Sequence, residues 1–545
     1  MSSVVGTPGA HPPGALLSIP MSRRRWCALT AMVTGALLVA PAARVRADPR
    51  SAGEWSPLFS WPVLPIHAVV LPDGRVLGYG AEADGSQTGA FSYAVWDPSQ
   101  GDTAEAITRL PNTTGADFFC STQILVPATG EVLISGGDTT AMSGDMAGMH
   151  DMDESADGPE SISLNRGNQT SNLFDPERDT VEQGPALNAK RWYATCTTLP
   201  DGRILLQGGA DRNGGTGVAT PEVYDPATGT WTALTGIVDP DAYGTDERRW
   251  WYPHAFVAPN GRVVTIAGSL ITEIDPDGTG SLTRIGTVAG ACVGATSTAV
   301  MYRPGLILQM GGGGFFNGDG RPATAEAVII DVRSGAPVVT ATAPMSVPRH
   351  WATATVLPSG EVLVTGGTRY DGDAEAASTA PELWNPDTGT WRTLAAEQTP
   401  RLYHSVAALL PDGRVLSAAG GVPGPVLGLE SQVFAPPYLF AGGAPAARPV
   451  VSDVPDTVVP GREFGIEVDA PLGVSAVALV KTSSVTHSFN NEQRYVPLAF
   501  VEDGTAVTVT PPADAADLPP GWYQLWVLDT AGVPSVAAMV QVPPA

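Results

Sequence analysis

Apolar stretches recur along this chain and are separated by the same kinds of turn and glycine residues. An apolar strand is followed by a turn of the Pro-Asp-Gly kind, a second apolar strand, and a pair or near-pair of glycines. Most copies lead into a third strand that ends in a motif like Tyr-Asp-Pro. The seven copies are LPDGRVLGYG (71–80), VPATGEVLISGG (126–137), LPDGRILLQGG (199–209), APNGRVVTIAG (258–268), YRPGLILQMGG (302–312), LPSGEVLVTGG (357–367) and LPDGRVLSAAGG (410–421). Repeats of roughly 45–60 residues with several strands each are typical of propeller blades, so the pattern predicts a seven-bladed β-propeller.

The pattern changes after the seventh repeat. PPYLFAGGAPAARP (436–449) is typical of a linker, and the segments that follow alternate apolar and polar positions at the spacing of a β-sandwich. We therefore predict an all-β chain, with the propeller over 48–440 and an immunoglobulin-like sandwich over 449–545.

The N-terminus resembles an export signal. Three arginines (23–25) precede the apolar run ALTAMVTGALLVA (28–40), and Val45-Arg46-Ala47 suits cleavage. We predict a signal peptide over 1–47 and a secreted or extracytoplasmic protein, with Met21 as an alternative start. Ser22-Arg23-Arg24 loosely suits the twin-arginine route.

Charge and cysteine count narrow the function further. The formal net charge is −25, which disfavours nucleic acid and anionic membranes as partners. Cys27 lies in the signal, which leaves Cys120, Cys196 and Cys292. An odd count in an exported protein means that at least one sulfur is free, intermolecular or used in other chemistry. We favour buried thiols over a disulfide for Cys196 and Cys292.

Candidate chemistry lies just before the inner strands, where propeller loops converge on the central axis. Cys120, Tyr193 and Tyr403 stand ten, nine and ten residues before the turn glycine of their repeats. Equivalent positions on different blades face the same axis, so these side chains can approach one another. His404 follows Tyr403, but adjacent strand residues point to opposite faces. Both can bind one metal only if the backbone is irregular there; otherwise His404 is structural.

Four motifs carry a resemblance to a known family. They are Cys120 in DFFCSTQ, Tyr193 in KRWYATCTTLPDGR, the Tyr403-His404 pair in RLYHSVAALLPDGRV and His487 in SSVTHSFNNEQR. The chain resembles the copper radical oxidases, the galactose oxidase and glyoxal oxidase family, over essentially its whole mature length. This resemblance implies a kelch-type propeller followed by a C-terminal sandwich.

The resemblance also implies the roles of the site residues. Cys120 would be joined to Tyr193 by a thioether, and Tyr193 would carry the radical. Tyr193, His404 and His487 would be equatorial ligands of one copper ion, with Tyr403 as the axial ligand and proton acceptor. His487 would arrive on a loop of the sandwich threaded up the propeller channel. Two imidazoles and two phenolates suit tetragonal Cu(II).

The implied reaction is the oxidation of a small aldehyde, glyoxal-like or glycolaldehyde-like, or of a primary alcohol. Such an oxidation removes two electrons while copper accepts one, so a sulfur-substituted phenol must hold the other. Dioxygen would be reduced to hydrogen peroxide. We expect the protein to be a monomer and its hydrogen peroxide to be used by a peroxide-consuming enzyme. The alternatives are a non-enzymatic kelch-type propeller that binds a cell-wall glycan or protein, and a copper-binding relative with a degraded pocket.

Two departures from galactose oxidase bear on the substrate. The tryptophan that follows its glycine pair is missing, because Gly208-Gly209 precedes Ala210-Asp211. The radical must be shielded by another pocket residue, and the candidates are Trp251, Trp351 and Phe315. The segment RRWWYP (248–253), where that enzyme's galactose-binding arginine should fall, aligns ambiguously. Both departures favour a small aldehyde or an unusual alcohol over a hexose.

An insertion over 141–158 interrupts the second repeat. Its thioether and imidazole side chains suit Cu(I), so it is a candidate accessory copper site; the alternative is a plain surface loop. The candidate ligands are Met142, Met146, Met149, His150 and Met152.

Overall fold

The computed structural model describes residues 48–139, 166–212 and 214–544. The predicted signal peptide (1–47) and the methionine-rich insertion (141–158), with Met142, Met146, Met149, His150 and Met152, lie outside these residues.

In the described residues, seven antiparallel blades surround a central channel, which confirms the predicted propeller. Strands are given from the innermost outward. Blade 1 consists of Val63–Val70, Val76–Glu82, Ser92–Trp96 and Ile107–Pro111. Blade 2 consists of Thr122–Leu125, Val132–Ser135, Ser171–Asp175 and Thr180–Gln183. Blade 3 consists of Trp192–Thr198, Ile204–Ala210, Glu222–Asp225 and Thr230–Ala233. Blade 4 consists of His254–Val257, Val263–Ala267, Leu270–Asp275 and Ser281–Thr287. Blade 5 consists of Ser297–Arg303, Leu306–Gly311, Ala327–Asp331 and Val338–Ala341. Blade 6 consists of His350–Val356, Val362–Thr368, Glu382–Asn385 and Thr390–Thr393.

Blade 7 is built from both ends of the ring. Its inner strands are Ser405–Leu409, Val415–Ala419 and Glu430–Ala435, and the last of these pairs with Glu54–Trp55 and Phe59–Ser60 near the start of the described chain. A strand from one end of the described chain thus joins a blade from the other end and closes the ring. The repeat pattern did not reveal this closure.

The Pro-Asp-Gly turns that defined the repeat have a common local chemistry. In the first copy, Gly74 has φ +87° and Asp73 accepts a hydrogen bond from the Arg75 amide while pairing with its guanidinium at 2.6 Å. Only glycine adopts such a φ without a steric cost. The same arrangement recurs at 201–203 and 412–414.

Helices are few and short in the described residues. An α-helix spans Pro49–Ala52, and 3-10 turns span Pro98–Gln100, Ala104–Ala106, Asp246–Arg248 and Pro437–Leu439. Within the described part of the chain, none of the helices has the length and apolar character that crossing a membrane requires.

The C-terminal region forms one seven-stranded, barrel-like sheet. Its core includes Leu479, Val496, Val509 and Leu525, all buried. In spatial order its strands are Val450–Ser452, Phe464–Asp469, Ala506–Thr510, Tyr495–Asp503, Val474–Lys481, Gly521–Asp529 and Ala538–Val542. A short hairpin, Phe440–Ala441 with Ala444–Pro445, precedes the sheet.

A segment of this C-terminal region fills the propeller channel. We call residues 481–496 the channel hairpin; every one of them is buried. Its strand Ser484–Thr486 pairs with Phe489–Asn490 on one side and with the innermost strand of blade 1 on the other. The C-terminal region therefore adds two strands to a propeller blade.

Polar contacts fix the channel hairpin to the remaining blades. It is bonded to Gln123 of blade 2, Thr198 of blade 3, Val257 of blade 4, Met301 of blade 5, Val356 of blade 6 and Leu409 of blade 7. Within it, Lys481 and Glu492 form a buried ion pair at 3.0 Å. Because all seven blades hold the hairpin, the position of any side chain at its tip is defined by the whole ring.

Candidate metal centre

The predicted site residues meet at one end of the channel. The Cys120 sulfur lies 4.0 Å from His404 Nε2 and 3.8 Å from His487 Nε2. The Tyr193 and Tyr403 hydroxyls are 2.5 Å apart. Three blades and the channel hairpin thus contribute to one buried cluster, and each of these five side chains is at most 4% exposed.

A left-handed backbone brings these residues together. Cys120, Tyr193, His404 and His487 have φ of +57°, +65°, +71° and +44°. Such conformations cost about 1–3 kcal/mol each and persist only where the surrounding structure enforces them. The expected irregularity at Tyr403-His404 is therefore present, and both rings face the cluster with centroids 3.8 Å apart.

Hydrogen bonds between blades hold this geometry. The Tyr193 amide donates to the Cys120 carbonyl at 3.1 Å, and the Tyr252 amide donates to the Tyr193 carbonyl at 2.9 Å. In blade 3 the strand register passes over Tyr193, because Trp192 pairs with Ala210 and Ala194 pairs with Gly208. The irregular residue thus projects into the channel while its neighbours stay in the sheet.

Neighbouring groups select the histidine tautomers. The Thr486 hydroxyl donates to the Ile66 carbonyl and so accepts the proton on His487 Nδ1, at 2.6 Å. His404 Nδ1 donates to the Gly421 carbonyl at 3.0 Å. Assigned this way, both rings present an unprotonated Nε2 to the cluster, as metal-binding imidazoles require.

Burial sets the protonation states. It lowers the pKa of His404 to about 3 and that of His487 well below its usual range, so both rings are neutral. It raises the pKa of the Cys120 thiol and of the Tyr193 phenol well above their usual values. A nearby cation would favour the phenolate. Two imidazole nitrogens with two phenol oxygens are a donor set that fits Cu(II).

Large aromatic rings cover the cluster. Trp251 stacks on Tyr193 with ring centroids 4.4 Å apart and an interplanar angle of 11°. Trp351 packs against Tyr403 at 4.7 Å. The Phe315 ring packs against the Arg321 guanidinium at 4.4 Å. Of the three candidate shields, Trp251 is the one whose ring stacks on Tyr193.

Three further residues around the cluster were not predicted as site residues from the sequence. Tyr252 lies 4.4 Å from the His487 ring and donates to the Ser121 carbonyl at 2.7 Å. Trp192 lies 3.8 Å from the Tyr193 ring. Arg248, from the ambiguous segment, lies 3.7 Å above the Phe316 ring and 5.5 Å from the Trp251 ring. Their common signal was position, since all three lie just before or at the start of an inner strand.

The other described histidines and cysteines are not part of the cluster. His67 Nδ1 bonds Gln123 at 2.8 Å and its ring stacks on Tyr79, while His254 stacks on Phe489. Among the described residues, the cysteines outside the cluster are free and buried, as predicted; they are Cys196 and Cys292. The cluster therefore selects two of the five described histidines.

Comparisons with known proteins agree with this geometry. The family model "Galactose oxidase-like, Early set domain" matches residues 448–542, which supports the immunoglobulin-like prediction. A galactose oxidase of Gibberella zeae is 29% identical over 518 residues, covering 90% of this chain and 70% of that protein. The aldehyde oxidase GLOX of Vitis pseudoreticulata is 30% identical over 396 residues, covering 66% of this chain and 73% of that protein. A fungal alcohol oxidase solved in complex with copper superposes with a TM-score of 0.76 at 25% identity, covering 90% of this chain and 100% of that chain.

Fold, donor set and relatives together define a copper-dependent oxidase. The alternative of a purely glycan-binding or protein-binding propeller is not favoured. The chain belongs to the copper radical oxidase family, which includes galactose oxidase and glyoxal oxidase.

Proposed function

We propose that one copper ion is held by Tyr193, Tyr403, His404 and His487, and that the chain oxidises a small aldehyde or a primary alcohol with dioxygen. One observation carries this proposal: two phenol oxygens 2.5 Å apart share a buried cluster with two imidazoles whose Nδ1 atoms bond Gly421 and Thr486 and whose Nε2 atoms face the cluster. The similar fold of an alcohol oxidase solved in complex with copper supports this proposal.

Cys120 and Tyr193 would be joined by a thioether. The two residues are neighbours in the buried cluster, where the Tyr193 amide donates to the Cys120 carbonyl at 3.1 Å and the thiol and the phenol each perturb the pKa of the other. In forming the bond, the thiol and the ring carbon each lose one hydrogen, and dioxygen takes up both to become hydrogen peroxide. This use of Cys120 would account for the odd number of cysteines.

During turnover the chain would move one proton and one hydrogen atom. Tyr403 would accept the substrate's hydroxyl proton, and Tyr193, as a sulfur-substituted phenoxyl radical, would take a hydrogen atom from the substrate carbon. When bound, copper supplies the remaining one-electron chemistry and passes electrons to dioxygen. The balance is one alcohol, or one aldehyde hydrate, and one dioxygen giving one aldehyde, or one acid, and one hydrogen peroxide.

The surroundings favour a small substrate. Trp251 and Trp351 cover the tyrosine pair, and Arg248, Trp251 and Tyr252 line the adjoining cavity. Among the relatives, the names include galactose oxidase, aldehyde oxidase and alcohol oxidase. Because two tryptophan rings lie over the tyrosine pair, we propose a short aldehyde or alcohol rather than a hexose as the substrate.

The remaining proposals concern the chain's setting. We place the propeller over 48–440 and the sandwich over 449–545, behind a signal peptide at 1–47 that directs export. We also propose that the protein is a monomer. The hydrogen peroxide that it makes outside the cytoplasm would be used by a peroxide-consuming enzyme.

Peptide mass spectrometry tests the crosslink. After exposure to copper and oxygen, the peptides containing Cys120 and Tyr193 should appear joined, with a mass two hydrogens below their sum. The same protein, oxidised, should show the absorption band of a phenoxyl radical. A peroxide-coupled screen of short aldehydes and primary alcohols would then identify the substrate. Separate, unmodified peptides after copper and oxygen exposure would refute the radical mechanism.

A further inference from the structure

The aromatic side chains around the Tyr193–Tyr403 pair differ in whether a neighbouring group can accept their N–H or O–H proton. Four tryptophan or tyrosine rings have centroids within 4.9 Å of Tyr193 or Tyr403; they are Trp192, Trp251, Tyr252 and Trp351. Each is close enough to lose an electron to an over-oxidised site. A buried aromatic cation must then release its N–H or O–H proton, because the low dielectric of the interior penalises an isolated charge.

Within the described ranges, only one of the four rings has a neighbouring group that can take that proton. The indole N–H groups of Trp192 and Trp251 have no oxygen or nitrogen acceptor there. The Tyr252 hydroxyl donates to the Ser121 carbonyl, which is too weak a base to be protonated. The Trp351 N–H donates to the Asp371 carboxyl at 2.8 Å. A carboxyl group can accept a proton, so Trp351 is the ring most easily oxidised in this shell.

Trp351 also lies at the start of a route towards solvent. Asp371 is half-buried and lies in a loop of blade 6, where it also accepts from the Gly318 amide. The next residue towards the N-terminus, Tyr370, is 60% exposed. Burial raises the pKa of Asp371, which strengthens it as a proton acceptor. The ring that can release a proton is therefore also the one whose partner lies near the surface.

We propose that Trp351 and Asp371 form a protective exit for oxidising equivalents, through which an external one-electron reductant such as ascorbate reduces a site over-oxidised by hydrogen peroxide. This rests on the proposed function, since it assumes a radical site that makes peroxide. It adds a second activity, a slow reductant-dependent consumption of peroxide when substrate is absent.

Electrons and protons balance in this scheme. Trp351 gives one electron to the Tyr193–Tyr403 pair, and its Nε1 proton moves to Asp371. Ascorbate then returns one electron to Trp351, and the proton moves back from Asp371. Two such cycles supply the two electrons that, with two protons from solvent, convert one hydrogen peroxide into two waters.

The test exposes the copper-loaded, crosslinked enzyme to hydrogen peroxide without substrate, with and without ascorbate. Oxidised peptides are mapped by mass spectrometry, and any tryptophan radical is trapped by freeze-quench electron paramagnetic resonance. In the unmodified chain without ascorbate, oxidation should concentrate at Trp351 and Tyr370. In Trp351→Phe, oxidation should shift to Trp251 and Trp192, and ascorbate-dependent peroxide consumption should fall at least 5-fold.

Two further variants sharpen the test. Asp371→Asn keeps an oxygen acceptor but cannot take a proton, so it should also lose the ascorbate-dependent consumption. Trp384→Phe, a buried tryptophan of the same blade that packs on Tyr302, should behave like the unmodified chain. If Trp351→Phe proves unstable, Asp371→Asn alone decides the question.

Failure of this proposal can be told from failure of the proposed function. If the phenoxyl radical forms but the Trp351 and Asp371 variants match the unmodified chain in oxidation pattern and ascorbate dependence, the exit route is wrong. If the unmodified chain forms no crosslink and no radical, the proposed function is wrong and the exit has no site to protect.

Discussion

Blades 6 and 7 place the same kinds of side chain at the same point and use them differently. Each inner strand is entered through an aromatic–histidine pair, His350-Trp351 in blade 6 and Tyr403-His404 in blade 7, and the second residue of each pair has a left-handed backbone. In blade 6 the ring that turns to the channel is a tryptophan. In blade 7 it is an imidazole, and its tyrosine neighbour faces the channel as well.

His350 and His404 differ in how many of their ring nitrogens are already engaged in hydrogen bonds. His350 has hydrogen-bonding neighbours at both, the Thr296 hydroxyl at 2.9 Å and the Arg321 carbonyl at 3.0 Å. His404 uses only Nδ1 on the backbone and keeps Nε2 for the cluster. A histidine before an inner strand therefore offers a nitrogen to the cluster only when the backbone turns it inward and its neighbours leave that nitrogen free.

The largest expected effect separates these two histidines. His404→Gln should lower copper affinity by more than about 100-fold and abolish oxidase activity, because it removes a ligand where even outer-shell changes cost about 10–100-fold. His350→Gln should keep its copper, since it lies outside the cluster. Metal analysis after dialysis against a chelator measures both. Equal copper loss in the two variants would contradict the distinction.

Cys120→Ser tests the sulfur at the corresponding point of blade 2. The variant should retain copper, because both imidazoles and both phenols remain, but it should form no crosslink and no radical. Activity should fall to background, since plain tyrosine holds the hole at a higher potential. Copper content, intact mass and the radical absorption band report these outcomes separately. A variant that still turns over at a normal rate would show that the thioether is dispensable.

A smaller effect is expected at the residue that orients His487. Thr486→Val keeps the shape of the side chain but removes the acceptor of the His487 Nδ1 proton. Copper affinity should fall about 10–100-fold, as for other second-shell changes, while the fold is preserved. Thr486→Ser, which restores the hydroxyl, serves as the matched control. Isothermal titration with copper measures both variants.

A pH dependence of stability is expected in the copper-free protein. Burial lowers the pKa of His67 and His404 to about 3 and that of His254 to about 4, from 6.5. Below pH 6.5 the unfolded chain therefore binds more protons than the folded one, and stability falls as pH decreases towards these values. Each histidine contributes about 1.4 kcal/mol per pH unit within its window. Calorimetry from pH 7 to 4 should show a shallower slope in His254→Gln than in the unmodified chain.

Much of the fold followed from the repeat pattern, because each blade is a local antiparallel unit whose turns and buried strands are written in consecutive residues. The closure of blade 7 did not follow. Glu54–Trp55 is too short to stand out as a strand, and it becomes one only by pairing with Glu430–Ala435 at the other end of the ring.

For the site, the sequence determined which residues are chemically suited and, through the spacing to each turn glycine, that Cys120, Tyr193 and Tyr403 point to one axis. Tertiary structure alone decided that Trp251 lies on Tyr193 and that His350 stays out of the cluster. It also placed His487, whose Nε2 reaches the cluster only because all seven blades hold the channel hairpin. The physical reason is that spacing within a repeat is a local property, whereas backbone irregularity, tautomer and ring stacking depend on contacts between residues far apart in the chain.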